Sequence, residues 1–263
     1  MAPRTASRAG ASVASTWKAV VTTAASVAPV SQPPTPTPAF ASFRGLKLHL
    51  PVAPARITVL AFHQTSYNDS YKMKPLVKIG TMAAAAAAKT KEKARQSDTT
   101  QPVNLWSGGL DETNAHGVWT GSALELWRNG RNVAQCTAID CGAHPGTPVC
   151  SPVDGTVMEV RPYKLYGKYT DIEIDIKPDA WSDIDVVMLH VTDPTVAEGA
   201  HVLGGITPVA HVRKLSGLVP GLQLRTYSPD GGNHTHVQIN KIPKPGQPWI
   251  VGQDAPGVVR IGS

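Results

Sequence analysis

The chain has 263 residues, 41% of them apolar and only 6% aromatic, with 23 glycines, 23 prolines and three cysteines. That is room for one large domain or two small ones with a real core, and so many turn-formers favour short strands over long helices. No apolar run approaches the ~18 residues of a membrane-spanning helix, and an odd count of three cysteines gives no disulfide framework, although one pair can form in an oxidising compartment.

The net charge is +6, unevenly spread. Residues 1–100 hold 13 basic against three acidic side chains, a surplus of +10, whereas the rest holds 12 against 16, or −4. The basic part suits an anionic polymer, a membrane face or a cell wall, or is simply a solvated tail. No motif that reads RNA or DNA is visible, which argues against nucleic acid.

Residues 1–42 contain no acid and are rich in Ala, Ser, Thr and Pro. Arg4, Arg8 and Lys18 precede a weak apolar patch, and Ser26-Val27-Ala28 suits cleavage of a poor signal peptide; an organelle transit peptide is the minor alternative. The run from Gln32 to Pro38 is a Pro-rich extended linker, so 1–42 is expected to be a disordered or targeting segment. Residues 43–97 are expected to form a small region with one strand, Ile57 to Phe62, and an Ala-rich helix from Ala83 to Arg95. His63 closes that strand at a polar loop; it reads as a hydrogen-bonded loop histidine, with a contribution to a site as the other reading.

Residues 98–263 are expected to form one β domain. Trp106, Trp119 and Trp127 are core or rim aromatics or, in the sharper reading, line a groove, Trp119 and Trp127 being its candidates. Beyond Asp140 the pattern is β throughout. Thr170 to Ile176 alternates isoleucines with acids, and Asp185 to Val191 is more continuously apolar and hence more buried. Strands at about ten-residue spacing between Gly/Pro/Asp turns argue an antiparallel sandwich or barrel. On a last strand, His234, His236 and Gln238 share one face while Val237 and Ile239 point to the core. Two imidazoles on one open face can divide labour, one binding a metal and one handling protons, but His-x-His alone is weak.

The order of Cys136-x-x-x-Asp140, Gly146-Thr147-Pro148-Val149, Asp154-Gly155-Thr156-Val157, Met188-Leu189-His190-Val191, Glu198 to Gly204 and His234-Thr235-His236-Val237 resembles the lysostaphin-type (LytM-like) zinc endopeptidases, over about residues 131–240. The resemblance implies an antiparallel β-sandwich of that type, a zinc cofactor, bacterial peptidoglycan or a cell-wall protein as partner, and a secreted or envelope location. It also implies Asp140 and His236 as metal ligands and His190 and His234 as the catalytic pair. Cys136 stands where that family places its first histidine ligand. Either Cys136 is the third ligand as a thiolate, which a second negative charge would make a slower hydrolase, or the ligand set is incomplete and the domain is degenerate, binding without cutting. Losing one ligand of three weighs toward the second reading, and His63 or His144 could rescue the first from outside the motif, though nothing in the sequence places them there. A structural docking protein that uses the basic arm is a further class. Ser151 to Val157 is also similar to a biotinyl carrier half-motif, but no Met-Lys lies on a matching turn.

Overall fold

The computed structural model describes residues 34–65, 69–80, 121–128, 131, 133–242 and 259–260. The expected helix from Ala83 to Arg95, the cleavage-like Ser26-Val27-Ala28, Trp106 and Trp119 lie outside the described residues.

A hairpin, β1 (Ala39–Phe43) and β2 (Leu46–His49), opens the described chain, turning at Arg44 and Gly45, both with positive φ. β3 (Ile57–His63) follows, then the short β4 (Lys74–Pro75) and β5 (Lys78–Ile79). Next come β6 (Ser122–Glu125), β7 (Ala138–Ala143) and β8 (Pro148–Cys150). The long strands are β9 (Gly155–Leu165), β10 (Tyr169–Pro178) and β11 (Ile184–Thr192). β12 (His201–Val202), β13 (Pro208–Val212), β14 (His234–Lys241) and β15 (Val259–Arg260) complete the series.

The main sheet runs β12-β9-β10-β11-β14-β7-β3-β6-β5, antiparallel except where β6 lies parallel to β3 and β5. β2-β1-β4 forms a second sheet, and β8 and β13 form a ribbon joined to β11. Period-two alternation decides what goes between these layers. Ile174 and Ile176 of β10, Val186 and Met188 of β11, and Val237 and Ile239 of β14 are buried together with Phe40, Leu48 and Val149 in one apolar cluster. Each such side chain contributes roughly 1.5–3 kcal/mol by leaving water. Gly142 is required at the β7–β3 seam: a Cβ there would lie 2.6 Å from Val59 Cγ1 and 2.8 Å from Thr58 Oγ1.

Two expected boundaries need correction. Residues 39–42 belong to β1, not to a disordered or targeting segment. Phe40 and Ala41 are buried, and the backbone of Thr37 is already tied to Gly205 by an N–H···O bond of 3.0 Å. The division at 97/98 does not separate two sheets either, because β3 is an interior strand between β7 and β6. An apolar strand with no polar face, burial pattern buried at six of seven positions, needs neighbours on both edges and both faces.

Candidate metal centre

Register brings the chemistry together on the sheet face opposite the main apolar cluster. Asp140 of β7 is paired with His236 of β14 on one side and with Ala61 of β3 on the other. His63 pairs with Ala138, two residues from Asp140, so its ring falls on the same face as the carboxylate. The ligand atoms of His63, Asp140 and His236 lie within 4.8 Å of one another, all three residues buried. Two imidazoles and a carboxylate are donors of the type that a tetrahedral zinc takes, at ~2.0–2.1 Å each.

His190 reaches this face through an irregularity. Along β11, Val186 and Met188 point to the core, so strict alternation would send His190 there too. Instead Ile172 pairs with Val191 and Ile174 with Met188, leaving Leu189 and His190 opposite the single residue Glu173. His190 takes φ 61°, a left-handed conformation costly for a non-glycine residue, and Val191 returns to the core. The bulge aims the His190 ring at His234, with centroids 5.0 Å apart and edge to face. Behind it Asp171, fully buried, accepts from His190 Nδ1 at 2.6 Å and from the Tyr163 hydroxyl at 2.9 Å.

Hydrogen bonding fixes the tautomers. His63 Nδ1 donates to the Gln64 carbonyl at 2.7 Å, which leaves the lone pair of Nε2 facing Asp140 Oδ1 at 2.9 Å. His234 Nδ1 donates to the Gly232 carbonyl at 2.7 Å, which turns its Nε2 lone pair to the same oxygen at 3.7 Å. Asn240 Oδ1 accepts from Ser70 Oγ and from Gln238 Nε2. Gln238 must therefore offer its oxygen to His236 Nε2–H, at 2.9 Å, and the His236 Nδ1 lone pair faces Asp140 Oδ1, also at 2.9 Å. Three imidazole lone pairs thus converge on one carboxylate oxygen.

At neutral pH neither His63 nor His234 carries a second proton. Burial holds the His63 pKa down to about 3 and the His234 pKa down to about 4, against the pull of Asp140. Burial pushes Asp140 up, but the imidazoles around Oδ1 and the Arg128 guanidinium against Oδ2 outweigh it and hold the carboxyl well below its ordinary range. A buried carboxylate oxygen ringed by imidazole nitrogens is a donor set that suits a cation.

Cys136, the doubtful third ligand, is not in this group. It sits in the apolar cluster just before β7 with φ 61°, and burial raises its thiol pKa, so it is held as a thiol rather than as the thiolate a metal needs. His63 from β3 stands with Asp140 and His236 instead. The loop reading of His63 missed this because β3 pairs with β7 across 77 residues of sequence, and the only local signal was a histidine closing a strand. His144 is exposed and outside the group, and all three cysteines are free thiols.

Arg128 carried no sequence signal. Its Nη2 donates to Asp140 Oδ2 at 2.5 Å and its Nε to Gln223 Oε1 at 3.2 Å. The carboxylate thus keeps Oδ1 for the three imidazoles and Oδ2 for the guanidinium. A cleft opens over the cluster, walled by Arg128, Arg131, Tyr163, Tyr166, His190 and His236. Trp127 is not among the residues that line it: the residue is 53% exposed, and its backbone carbonyl accepts from Gln223 Nε2.

No family model matches the chain, and no curated protein matches it. Among solved structures, the chain is similar to LytU, at 19% identity and a TM-score of 0.31, over 43% of this chain and 67% of that one. Similarity to the catalytic domain of the antimicrobial peptidase lysostaphin from Staphylococcus simulans has the same identity and score and spans 73% of that chain. A zinc-containing peptidase from Vibrio cholerae is matched at 22% identity and a TM-score of 0.29, with 29% of its length spanned. Lysostaphin gives its name to the group that the motif order resembles.

Proposed function

We propose that the chain carries a zinc-dependent peptidase-type domain of the lysostaphin kind, acting on peptide bonds of the bacterial wall, with His63, Asp140 and His236 as ligands and His190 and His234 as the proton-handling pair. One observation carries this reading: nitrogens of three imidazoles on one sheet face converge on Asp140 Oδ1, at 2.9 Å from His63, 2.9 Å from His236 and 3.7 Å from His234. His63 supplies the donor that the sequence lacks at Cys136, which favours a working site over a degenerate one.

Bound there, zinc would polarise a peptide carbonyl and bring the pKa of a water down to about 7. The protein's own contribution is orientation. Asp171 holds the Nδ1 proton of His190, so His190 Nε2 is left as an acceptor toward the cleft. His234 Nε2 is likewise an acceptor, because its Nδ1 proton is held by Gly232. Burial of Leu189 and Tyr163 beside these rings keeps water away and strengthens each polar contact. Peptidoglycan as substrate and an envelope location follow from the motif resemblance, and the basic surplus of residues 1–100 suits an anionic wall polymer.

Metal analysis tests the ligand set. Purified protein is expected to hold one equivalent of zinc, lost in His63→Ala and retained in Cys136→Ser. Muropeptide digestion should vanish in His234→Ala with the zinc retained. The contact of Arg128 with Asp140 favours a second reading, a metal-free wall-binding module in which the guanidinium is the only counter-charge. Zinc-free protein that binds sacculi without digesting them would establish that module in place of the peptidase.

A further inference from the structure

A second groove shares no residue with the cleft over the cluster. Its volume is about 460 Å³, within the ~300–1,000 Å³ of small-molecule sites. One wall is formed by β2 and the turn before it, with Arg44, Lys47 and His49; the other is Asp154 and the turn after β10, with Asp179 and Trp181. The walls are held before any ligand arrives. Asp183 accepts from Arg44 Nη1 at 2.8 Å, and the guanidinium carbon stands 5.5 Å from the centre of the Trp181 ring. Trp181 packs against the main apolar cluster, and the Asp179 N–H donates to the Asp154 carbonyl at 3.1 Å. What the fold leaves open is of both hydrogen-bonding kinds. Lys47 is exposed and has no ion pair among the described residues. Asp154 gives Oδ1 to the Gly204 N–H at 2.7 Å and Asp179 gives Oδ2 to His201 Nε2 at 2.8 Å, so each keeps a second oxygen to offer. His49 Nδ1 donates to the Thr37 carbonyl at 2.5 Å, which leaves its Nε2 as an acceptor.

We infer that this groove binds a saccharide, with Trp181 against the C–H face of a pyranose ring and Lys47, Asp154 and Asp179 bonded to its hydroxyls. A hydroxyl both donates and accepts, so a ring of them needs donors and acceptors side by side. An anion would use the donors alone and a metal ion the acceptors alone. An apolar ligand would strip water from four charged side chains, Arg44, Lys47, Asp154 and Asp179, and give nothing back. The indole supplies the flat apolar surface that the ring's own C–H face needs. Charged partners make the stronger hydrogen bonds, and walls already fixed lower the ordering cost of binding. The inference stands apart from the peptidase reading, since it uses none of the residues assigned to the cluster.

The test is a titration of the nitrogen-15-labelled full chain with tri-N-acetylchitotriose, with cellotriose and with trialanine, followed by two-dimensional NMR. The indole N–H signal of Trp181, identified by its loss in Trp181→Phe, is expected to shift saturably with at least one saccharide, at a Kd of about 1 mM or tighter, and to stay in place with trialanine. Which saccharide acts shows whether an N-acetyl group is read. Asp154→Asn keeps Oδ1 for the Gly204 N–H, and Lys47→Met keeps the apolar stem of an exposed side chain. Each should weaken saccharide binding about fivefold or more while signals remote from the groove stay unchanged. Absence of a saturable shift with both saccharides, an equal response to trialanine, or full affinity in either variant overturns the inference. Loss of zinc or of hydrolysis would bear on the peptidase reading alone, since the titration needs neither.

Discussion

At the scale of single residues, the site depends on which atom of each imidazole is left bare. Gln238 decides this for His236, and Gln238 is itself set by Asn240 and Ser70. The chain Ser70–Asn240–Gln238–His236 does for the ligand what an acidic residue at 238 would do, without adding charge. Outer partners of this kind are worth 10–100-fold in metal affinity. Gln238→Ala is therefore expected to weaken zinc binding by about that factor, measured by competition with a chromophoric chelator, with the fold intact. The sequence made His234 and His236 legible because period-two alternation puts them on one face. It could not show the direction of the His236 proton, which depends on amide groups two and four residues further on and on Ser70 far upstream.

At the scale of strands, alternation predicted the two faces of β10, but not that both are covered. Asp175 and Asp185 are buried on the site-side face, and among the described residues neither Asp175 oxygen nor Asp185 Oδ1 has a hydrogen-bond partner. Burial, with Glu173 and Asp185 nearby, raises Asp175 well above its ordinary value, and burial brings Asp185 up to about 7. The folded state therefore keeps a proton on Asp185 that the unfolded chain has released above about pH 4. Its stabilising effect is present below pH 4 and is lost as pH rises through 7, at up to about 1.4 kcal/mol per pH unit. Asp185→Asn removes that slope. Urea unfolding should find the variant's advantage over wild type widening from pH 4 to pH 8, to on the order of 4 kcal/mol. The His190 bulge is the other feature alternation could not give: one extra residue between Ile172 and Ile174 pairings moves a histidine from the core face to the cleft.

At the scale of the whole molecule, the motif order from Asp140 to His236 was readable and so was its β character. The extent of the fold was not. The chain from Pro34 to His63 looked like a linker and a separate small region because its apolar residues give no clue to their partners. In space it supplies β1 and β2 against the main core and β3 within the main sheet. A truncation that starts at residue 98, on the apparent domain boundary, removes an interior strand together with His63. It is expected to be insoluble or molten, judged by loss of near-ultraviolet dichroism, whereas one that starts at residue 34 should fold.

Because β3 lies beside β7, the three proposed donors come from opposite ends of the described chain: His63 is on the third strand and His236 on the fourteenth. A zinc finger collects its ion from neighbouring residues and can do so as it emerges from the ribosome. Here a nascent chain has no complete set of donors until residue 236 has been synthesised and strand β14 has docked. Loading would then come after folding, so the ion would report on the finished sheet and have little part in building it.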